Sequence, residues 1–251
     1  MDKRITINYL ILTFLVTYIL WGFIAFACKV GYFQFGTPIS MILFAIGGNS
    51  PPIAAYFILK KAGKISSVKS FAKKAFAIKC KPKYYAIIIG FLIIYFGVPA
   101  LMGGISKGSD LYLSLLSIPI IIFFGGLEEL GWRYILQPYL EKEFSFGIAT
   151  LFTAFIWAVW HLPLFFIKGT VNSSLNFGLF TIMIFGMSFA LAAIYYTSKS
   201  IWLCILFHTM INALSGSWII EDNILIKTST AIIMITFSFI MVMWQKKKFV
   251  C

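Results

Sequence analysis

Acidic residues and histidines are scarce in this chain. Its 251 residues include 8 Asp and Glu and 2 His against 21 Lys and Arg, and charged residues make up 12% of the total. By contrast, 61% of the residues are hydrophobic and the mean hydropathy is +0.93. No soluble fold buries that much apolar surface, so the composition excludes a soluble domain. An acid or a histidine inside an apolar run of such a chain therefore needs a specific explanation.

Several common functional motifs are also missing. The chain has no H-E-x-x-H, no P-loop and no G-x-G-x-x-G, which are the usual signatures of zinc peptidases and nucleotide-binding proteins. The string Gly104–Gly108 matches G-x-S-x-G, but it falls in a predicted external turn and not in a strand-to-helix elbow, which disfavours a serine hydrolase. The cysteines show no metal-ligand spacing and predict no disulfide framework; they are Cys28, Cys80, Cys204 and Cys251.

Long apolar runs dominate what is present. A window of about 20 residues crosses roughly 30 Å of hydrocarbon. Such windows predict helices near residues 6–28, 38–59, 84–103, 111–132, 148–167, 175–197, 201–220 and 225–244. The expected fold is an all-α polytopic membrane protein, a bundle of about eight transmembrane helices. With no linker or low-complexity stretch, residues 1–251 are expected to form a single transmembrane domain.

Basic residues cluster in alternate loops. Nine lysines lie between Lys60 and Lys83, and the positive-inside rule then predicts that both termini are cytoplasmic. The composition, rich in Ile, Lys and Phe, favours a bacterial plasma membrane. The net charge of +13 is expected to contact membrane lipids. Nucleic acid is not an expected partner, because the basic residues flank spans. Apolar and basic residues interleave in segment 60–83, which suits a short interfacial amphipathic helix or a plain loop.

Two adjacent acids, Glu128 and Glu129, end the fourth apolar run. On a helix, Glu129 should pair with Arg133 four residues later. Glu128 would be rotated about 100° away without that partner, and an unpaired carboxylate in a poorly hydrated site suits general acid or base chemistry. The alternative places both glutamates at the hydrated cytoplasmic end of the helix, with Arg133 obeying the positive-inside rule.

The only two histidines, His161 and His208, also lie inside apolar runs. Trp157 precedes His161 by one turn, and a proline two residues after His161 frees a backbone carbonyl beside the imidazole. His208 and Asn212 are four apart and share a helix face. Such a pair can hold a metal, hold a water or polarise a carbonyl, although each histidine could also make a structural interhelical hydrogen bond. A single active site explains all of these residues together.

The three motifs, in this order, resemble those of the CPBP family of intramembrane proteases, which includes type II CAAX prenyl endopeptidases and bacterial Abi proteins. They are Glu128-Glu129…Arg133, Trp157…His161 and His208…Asn212. The resemblance spans at least residues 40–215, and the Gly/Pro-rich segment 47–55 is similar to a break that family members carry in an early helix. In one departure, the second motif usually begins with Phe where this chain has Trp157.

This resemblance implies a membrane-embedded endopeptidase that acts on a membrane-associated peptide or protein. By position, it makes Glu128 the residue that activates water, with Glu129 and Arg133 ordering the site. It implies that His161 binds or polarises the water and that His208 and Asn212 stabilise the oxyanion.

Some alternatives stay open at the level of sequence. A divalent cation such as zinc could be held by His161, His208 and Glu128, or the glutamate could work without a metal. The fold could instead serve a non-catalytic immunity or scaffold protein, or a transporter with a broken helix. The Ile-, Lys- and Phe-rich composition favours a bacterial peptide over a prenylated substrate.

Overall fold

A computed structural model describes residues 2–250, with side chains described as far as Lys246. The α-helices are α1 (Lys3–Lys29), α2 (Pro38–Gly48), α3 (Ser50–Lys61), α4 (Val68–Ala75), α5 (Pro82–Leu101), α6 (Leu111–Phe123), α7 (Glu129–Gly131), α8 (Gln137–Glu143), α9 (Phe146–Trp160), α10 (Phe177–Ser198), α11 (Ile201–Leu214) and α12 (Ile224–Val250). Shorter 3₁₀ or π turns cover Gly126–Glu128, Trp132–Leu136, Leu162–Phe166 and Val171–Ser174. Strands β1 (Ile105–Lys107) and β2 (Trp218–Ile220) pair antiparallel.

The chain is an all-α polytopic membrane protein, as its composition predicts. Within the described residues, six helices are long and apolar enough to span a membrane, or seven if the bent pair α2 and α3 forms one span. The expected count of about eight differs at the run 201–220, because α11 has only 14 residues. A helix of that length is about 21 Å long, which is less than the hydrocarbon thickness. After Leu214 the backbone turns into β2.

The expected Gly/Pro break in an early helix is confirmed. Helices α2 and α3 meet at Asn49 and are bent by 50°. Two prolines occupy the first turn of α3, where their missing N–H groups cost no helical hydrogen bond. Gly47 allows α1 to approach, because a Cβ there would lie 2.5 Å from the indole nitrogen of Trp21.

The fourth run, predicted over 111–132, forms one candidate membrane span, Leu111–Glu143, but the helix within it is not regular. Helix α6 ends at Phe123, and the chain then passes close to α11. A Cβ on Gly125 would lie 2.5 Å from Nδ2 of Asn212, and one on Gly126 would lie 2.3 Å from Oγ1 of Thr209. This close approach carries the following 3₁₀ turn into the interior, which the helical period of the run does not signal.

Both glutamates are consequently buried. Glu128 is 7% exposed and Glu129 is 0% exposed, which overturns the alternative that places them at a hydrated helix end. The π turn Trp132–Leu136 follows directly, and π turns of this kind are frequent at functional sites.

Segment 60–83 contains a helix, as one of its two interpretations requires. Ser67 caps α4 through a reciprocal hydrogen-bonded pair with Ser70. Phe71 and Ala75 are buried on one side of α4, and its lysines are exposed, so the helix is amphipathic. Of the described cysteines, Cys28, Cys80 and Cys204 are free, and Cys251 lies outside the described residues.

Candidate active site

All three motifs open onto one cavity of about 440 Å³. Glu128, His161, His208 and Asn212 line it, and most of the remaining wall is apolar or aromatic. Among the described residues of the wall, Glu128 and Lys227 are the ones that carry a formal charge. Cavities of this size that combine apolar walls with a few convergent polar groups are typical of ligand and active sites. The expectation that the motifs converge is thus confirmed, while their roles in catalysis stay predictions.

Two indole N–H groups hold the carboxylate of Glu128. Its Oε2 accepts a hydrogen bond of 2.9 Å from Nε1 of Trp157 and one of 3.4 Å from Nε1 of Trp132. Trp132 lies four residues after the glutamate, whereas Trp157 comes from α9. The other oxygen, Oε1, accepts no hydrogen bond from the described residues. One oxygen is anchored, and the other is free to contact a molecule in the cavity.

Glu129 is the centre of a buried cluster with Arg133 and His208. Its Oε1 lies 2.8 Å from Nδ1 of His208, and its Oε2 lies 3.4 Å from Nε of Arg133. Arg133 also donates to Oγ of Ser188 at 2.9 Å, and its guanidinium lies 4.9 Å from the ring centroid of Trp157. The predicted pair of Glu129 and Arg133 is confirmed. Because buried charges are tolerated only when they are paired, these contacts explain how two charged residues fit here.

His161 lies immediately after the end of α9, where its ring has a fixed orientation. Its Nδ1 is 2.8 Å from the carbonyl oxygen of Trp157. A carbonyl only accepts hydrogen bonds, so Nδ1 must carry a proton, and the neutral ring then has its lone pair on Nε2. The carbonyl that Pro163 leaves free, that of Val159, accepts a 2.6 Å hydrogen bond from the hydroxyl of Tyr18 in α1.

His208 and Asn212 lie on one face of α11, and Gly125 is the backbone that faces them. A Cβ on Gly125 would lie 3.6 Å from Nε2 of His208 and 2.5 Å from Nδ2 of Asn212. Both nitrogens are therefore near the same point at the cavity wall. Nδ1 of His208 is already bound to Glu129, so Nε2 is the ring nitrogen available to a ligand.

A second charged pair lies at the wall of the cavity. Lys227, near the start of α12, is 5% exposed and forms an ion pair with Asp222. Partial burial acts to raise the pKa of Asp222, but hydrogen bonds from Lys227 and from the backbone N–H of Asn176 outweigh it and hold that pKa below its ordinary value. The pair links the segment after β2 to the start of α10.

Comparison with known proteins agrees with this geometry. Residues 110–214, which contain all three motifs, match the family of Rce1-like type II CAAX prenyl endopeptidases. The chain is also 26% identical to CAAX prenyl protease 2 of Methanococcus maripaludis over 262 aligned positions, which cover 90% of this chain and 92% of the relative. The chain is thus similar to CAAX prenyl endopeptidases. This similarity confirms the resemblance predicted from the motifs and agrees with the expectation of a membrane-embedded endopeptidase.

In the part of the chain that the structure describes, the donor set of the site does not fit a metal ion. Among the described residues, no group of three His, Cys, Asp or Glu side chains has the geometry to hold one. The three candidate side chains keep free donor atoms, which are Nε2 of His161, Nε2 of His208 and Oε1 of Glu128, but these atoms do not form such a group. We therefore derive no catalytic step through a metal.

Sequence reasoning missed two contributors to the endopeptidase-like site. Ser188 in α10 binds Arg133, and Trp132 donates to Glu128. The spacing of Glu128 and Trp132, four residues apart, could have indicated the second contact. Ser188 carries no such signal, because its partner is 55 residues away in the sequence.

Proposed function

We propose that the protein hydrolyses a peptide bond of a membrane-associated peptide or protein with a water molecule activated by Glu128. The observation that carries this proposal is the convergence of Glu128, His161, His208 and Asn212 on one largely apolar cavity. A carboxylate with one anchored and one free oxygen suits a general base, because the free oxygen can take a proton from water at a fixed position.

In the proposed reaction, Glu128 removes a proton from water as the water oxygen attacks the peptide carbonyl carbon. His161 holds the water by accepting its second hydrogen at Nε2. The C–N bond then breaks, and Glu128 returns its proton to the leaving amine. The products are a new carboxylic acid and a new amine, between which a proton then passes to give a carboxylate and an ammonium group, so one water molecule is consumed for each bond cleaved.

The negative charge that develops on the carbonyl oxygen needs donors. We assign this role to the side-chain amide of Asn212 and to Nε2–H of His208, which both lie near Gly125. His208 already directs Nδ1 at Glu129, so donation from Nε2 requires a second ring proton, and the carboxylate of Glu129 would balance that charge. Preorganised donors of this kind commonly contribute a factor of about 10²–10³ to the rate.

The apolar wall of the cavity favours a substrate with apolar groups next to the scissile bond. In keeping with this, we propose that substrates arrive from the surrounding membrane lipids. We further propose that the protein lies in a plasma membrane with both termini in the cytoplasm, as the lysine distribution predicts. Nothing in this scheme involves nucleic acid.

The proposal can be tested with purified protein in lipid nanodiscs. Two synthetic peptides serve as probes, one ending in a farnesylated CAAX sequence and the other identical but unfarnesylated. We expect cleavage of at least one peptide, with one ¹⁸O atom from labelled water in the new carboxylate, and no loss of rate with a strong chelator. Intact peptides after incubation with folded protein would contradict the peptidase proposal. A rate that falls with chelator and returns with zinc would contradict the metal-free mechanism.

A further inference from the structure

Trp157 contacts four charged or ionisable residues of the site. Its indole N–H donates to Oε2 of Glu128 at 2.9 Å, and its ring lies under the guanidinium of Arg133 at 4.9 Å. The ring centroid is 5.3 Å from that of His208 and 5.6 Å from that of His161. The side chain is only 1% exposed. A buried indole N–H needs an acceptor, and here the acceptor is the carboxylate of the proposed base.

We propose, on the basis of the function proposed above, that Trp157 is a positioning residue that fixes Glu128 through its indole N–H. The other donor, Trp132, lies at 3.4 Å, which is long for an N–H···O hydrogen bond, so Trp157 supplies the main restraint. By holding Oε2, it turns Oε1 towards the cavity. A donated hydrogen bond also favours the ionised form of a carboxylate, which is the form that accepts a proton from water.

The N–H can be removed without removing the ring. Phe in place of Trp157 keeps an aromatic face for Arg133 and an edge for the two histidines, but it cannot donate to Glu128. 3-Benzothienylalanine at position 157 is a closer probe, because it keeps the size and shape of the indole and replaces only the N–H with sulfur. Any effect that the two replacements share is therefore attributable to the lost hydrogen bond.

Trp160 provides the matched control in the same helix. It is 0% exposed, and its N–H donates to Oγ1 of Thr17 at 2.8 Å, away from Glu128. Trp160→Phe thus removes an equally buried indole N–H that does not reach the proposed base. A purely structural requirement for buried indole hydrogen bonds would affect both tryptophans in the same way.

The experiment measures kcat, KM and the pH dependence of kcat for wild type, Trp157→Phe, the benzothienylalanine protein and Trp160→Phe, with the thermal unfolding midpoint of each. For both replacements of Trp157 we expect kcat to fall about tenfold and KM to stay within about twofold, since the ring still fills its place in the wall. The acidic limb of the pH profile should move to higher pH, because the carboxylate loses a donor to its ionised form. In Trp160→Phe, the acidic limb of the pH profile should stay at its wild-type position.

A pH profile and kcat that match wild type in both replacements at position 157 would overturn the positioning role. An equal shift of the acidic limb in Trp160→Phe would also overturn the positioning role. If Trp157→Phe does not fold, the benzothienylalanine protein decides the outcome. Glu128→Gln separates this inference from the proposed function. Full activity in Glu128→Gln would remove the proposed function itself, whereas an inactive Glu128→Gln beside wild-type behaviour at position 157 would remove only the role of Trp157.

Discussion

Glu128 and Glu129 are adjacent in the sequence, but the partners of Glu128 are neutral and those of Glu129 are basic side chains. Neutral indole donors hold Glu128, whereas Glu129 lies between Arg133 and His208. Glu128 is therefore free to exchange a proton with a molecule in the cavity, while Glu129 compensates buried positive charge. The two residues should respond differently to the same change from Glu to Gln.

We expect Glu129→Gln to reduce stability and abundance as well as activity. The change leaves the guanidinium of Arg133 buried without its counter-charge, and breaking a buried pair in this way costs about 3–5 kcal/mol. Glu141→Gln is the matched control, since Glu141 is a partly buried carboxylate in α8 that accepts from Gln137. Thermal unfolding in detergent and protein yield measure the effect. An unfolding midpoint equal to that of the control would show that Glu129 has no such structural role.

Among the contacts of single residues, the local ones could be predicted from the sequence and the long-range ones could not. The pairing of Glu129 with Arg133 follows from helical spacing alone, because it is a local i, i+4 contact. The hydrogen bond from Trp157 to Glu128 joins residues 29 apart, and nothing in the spacing specifies it. Motif spacing could therefore name the candidate residues, while their partners depended on how the helices pack.

At the scale of elements, the irregular segment after α6 determines where the glutamates lie. An apolar run with helical spacing predicts a regular helix, and the structure instead has a 3₁₀ turn, one α-helical turn and a π turn from Gly126 to Leu136. The reason is a long-range contact, the passage of Gly125 and Gly126 against α11. Sequence patterns report local periodicity and cannot show which later helix a glycine will touch.

This contact leads to a prediction for Gly125→Ala. The added Cβ would meet Nδ2 of Asn212 at 2.5 Å, so the amide must move, and we expect kcat to fall at least tenfold if Asn212 stabilises the oxyanion. Gly22→Ala in α1 is the control, because a Cβ there meets nothing within 4 Å. Cleavage assays on both variants test the prediction. Wild-type kcat in Gly125→Ala would contradict a requirement for close approach at this point.

At the scale of the whole molecule, the all-α membrane fold was predictable because apolar content and run length are large signals. The number of spans was less predictable, because α11 is too short to cross the membrane and α2 and α3 form a bent pair. Lys64 and Lys142 line a surface depression together with Arg4 near the start of α1. These basic residues therefore share one end of the molecule, as expected if the N-terminus and segment 60–83 lie on the same side of the membrane.

Orientation can be measured with single cysteines in a background without native ones. We expect Lys64→Cys to react with a membrane-impermeant maleimide only after the membrane is permeabilised, because segment 60–83 should be cytoplasmic. Glu221→Cys, at an exposed position after β2, should react in intact cells. Reaction of both positions from the same side would contradict the predicted topology.

The most direct test of the account is the cleavage rate of Glu128→Gln in purified protein. Gln keeps the shape of the side chain and can still accept from the indoles of Trp157 and Trp132, but it cannot take a proton from water. We predict a fall in kcat of about 10²–10⁴, with a wild-type unfolding midpoint and with near-normal activity in the control Glu141→Gln. Cleavage by Glu128→Gln at the wild-type rate would contradict the account.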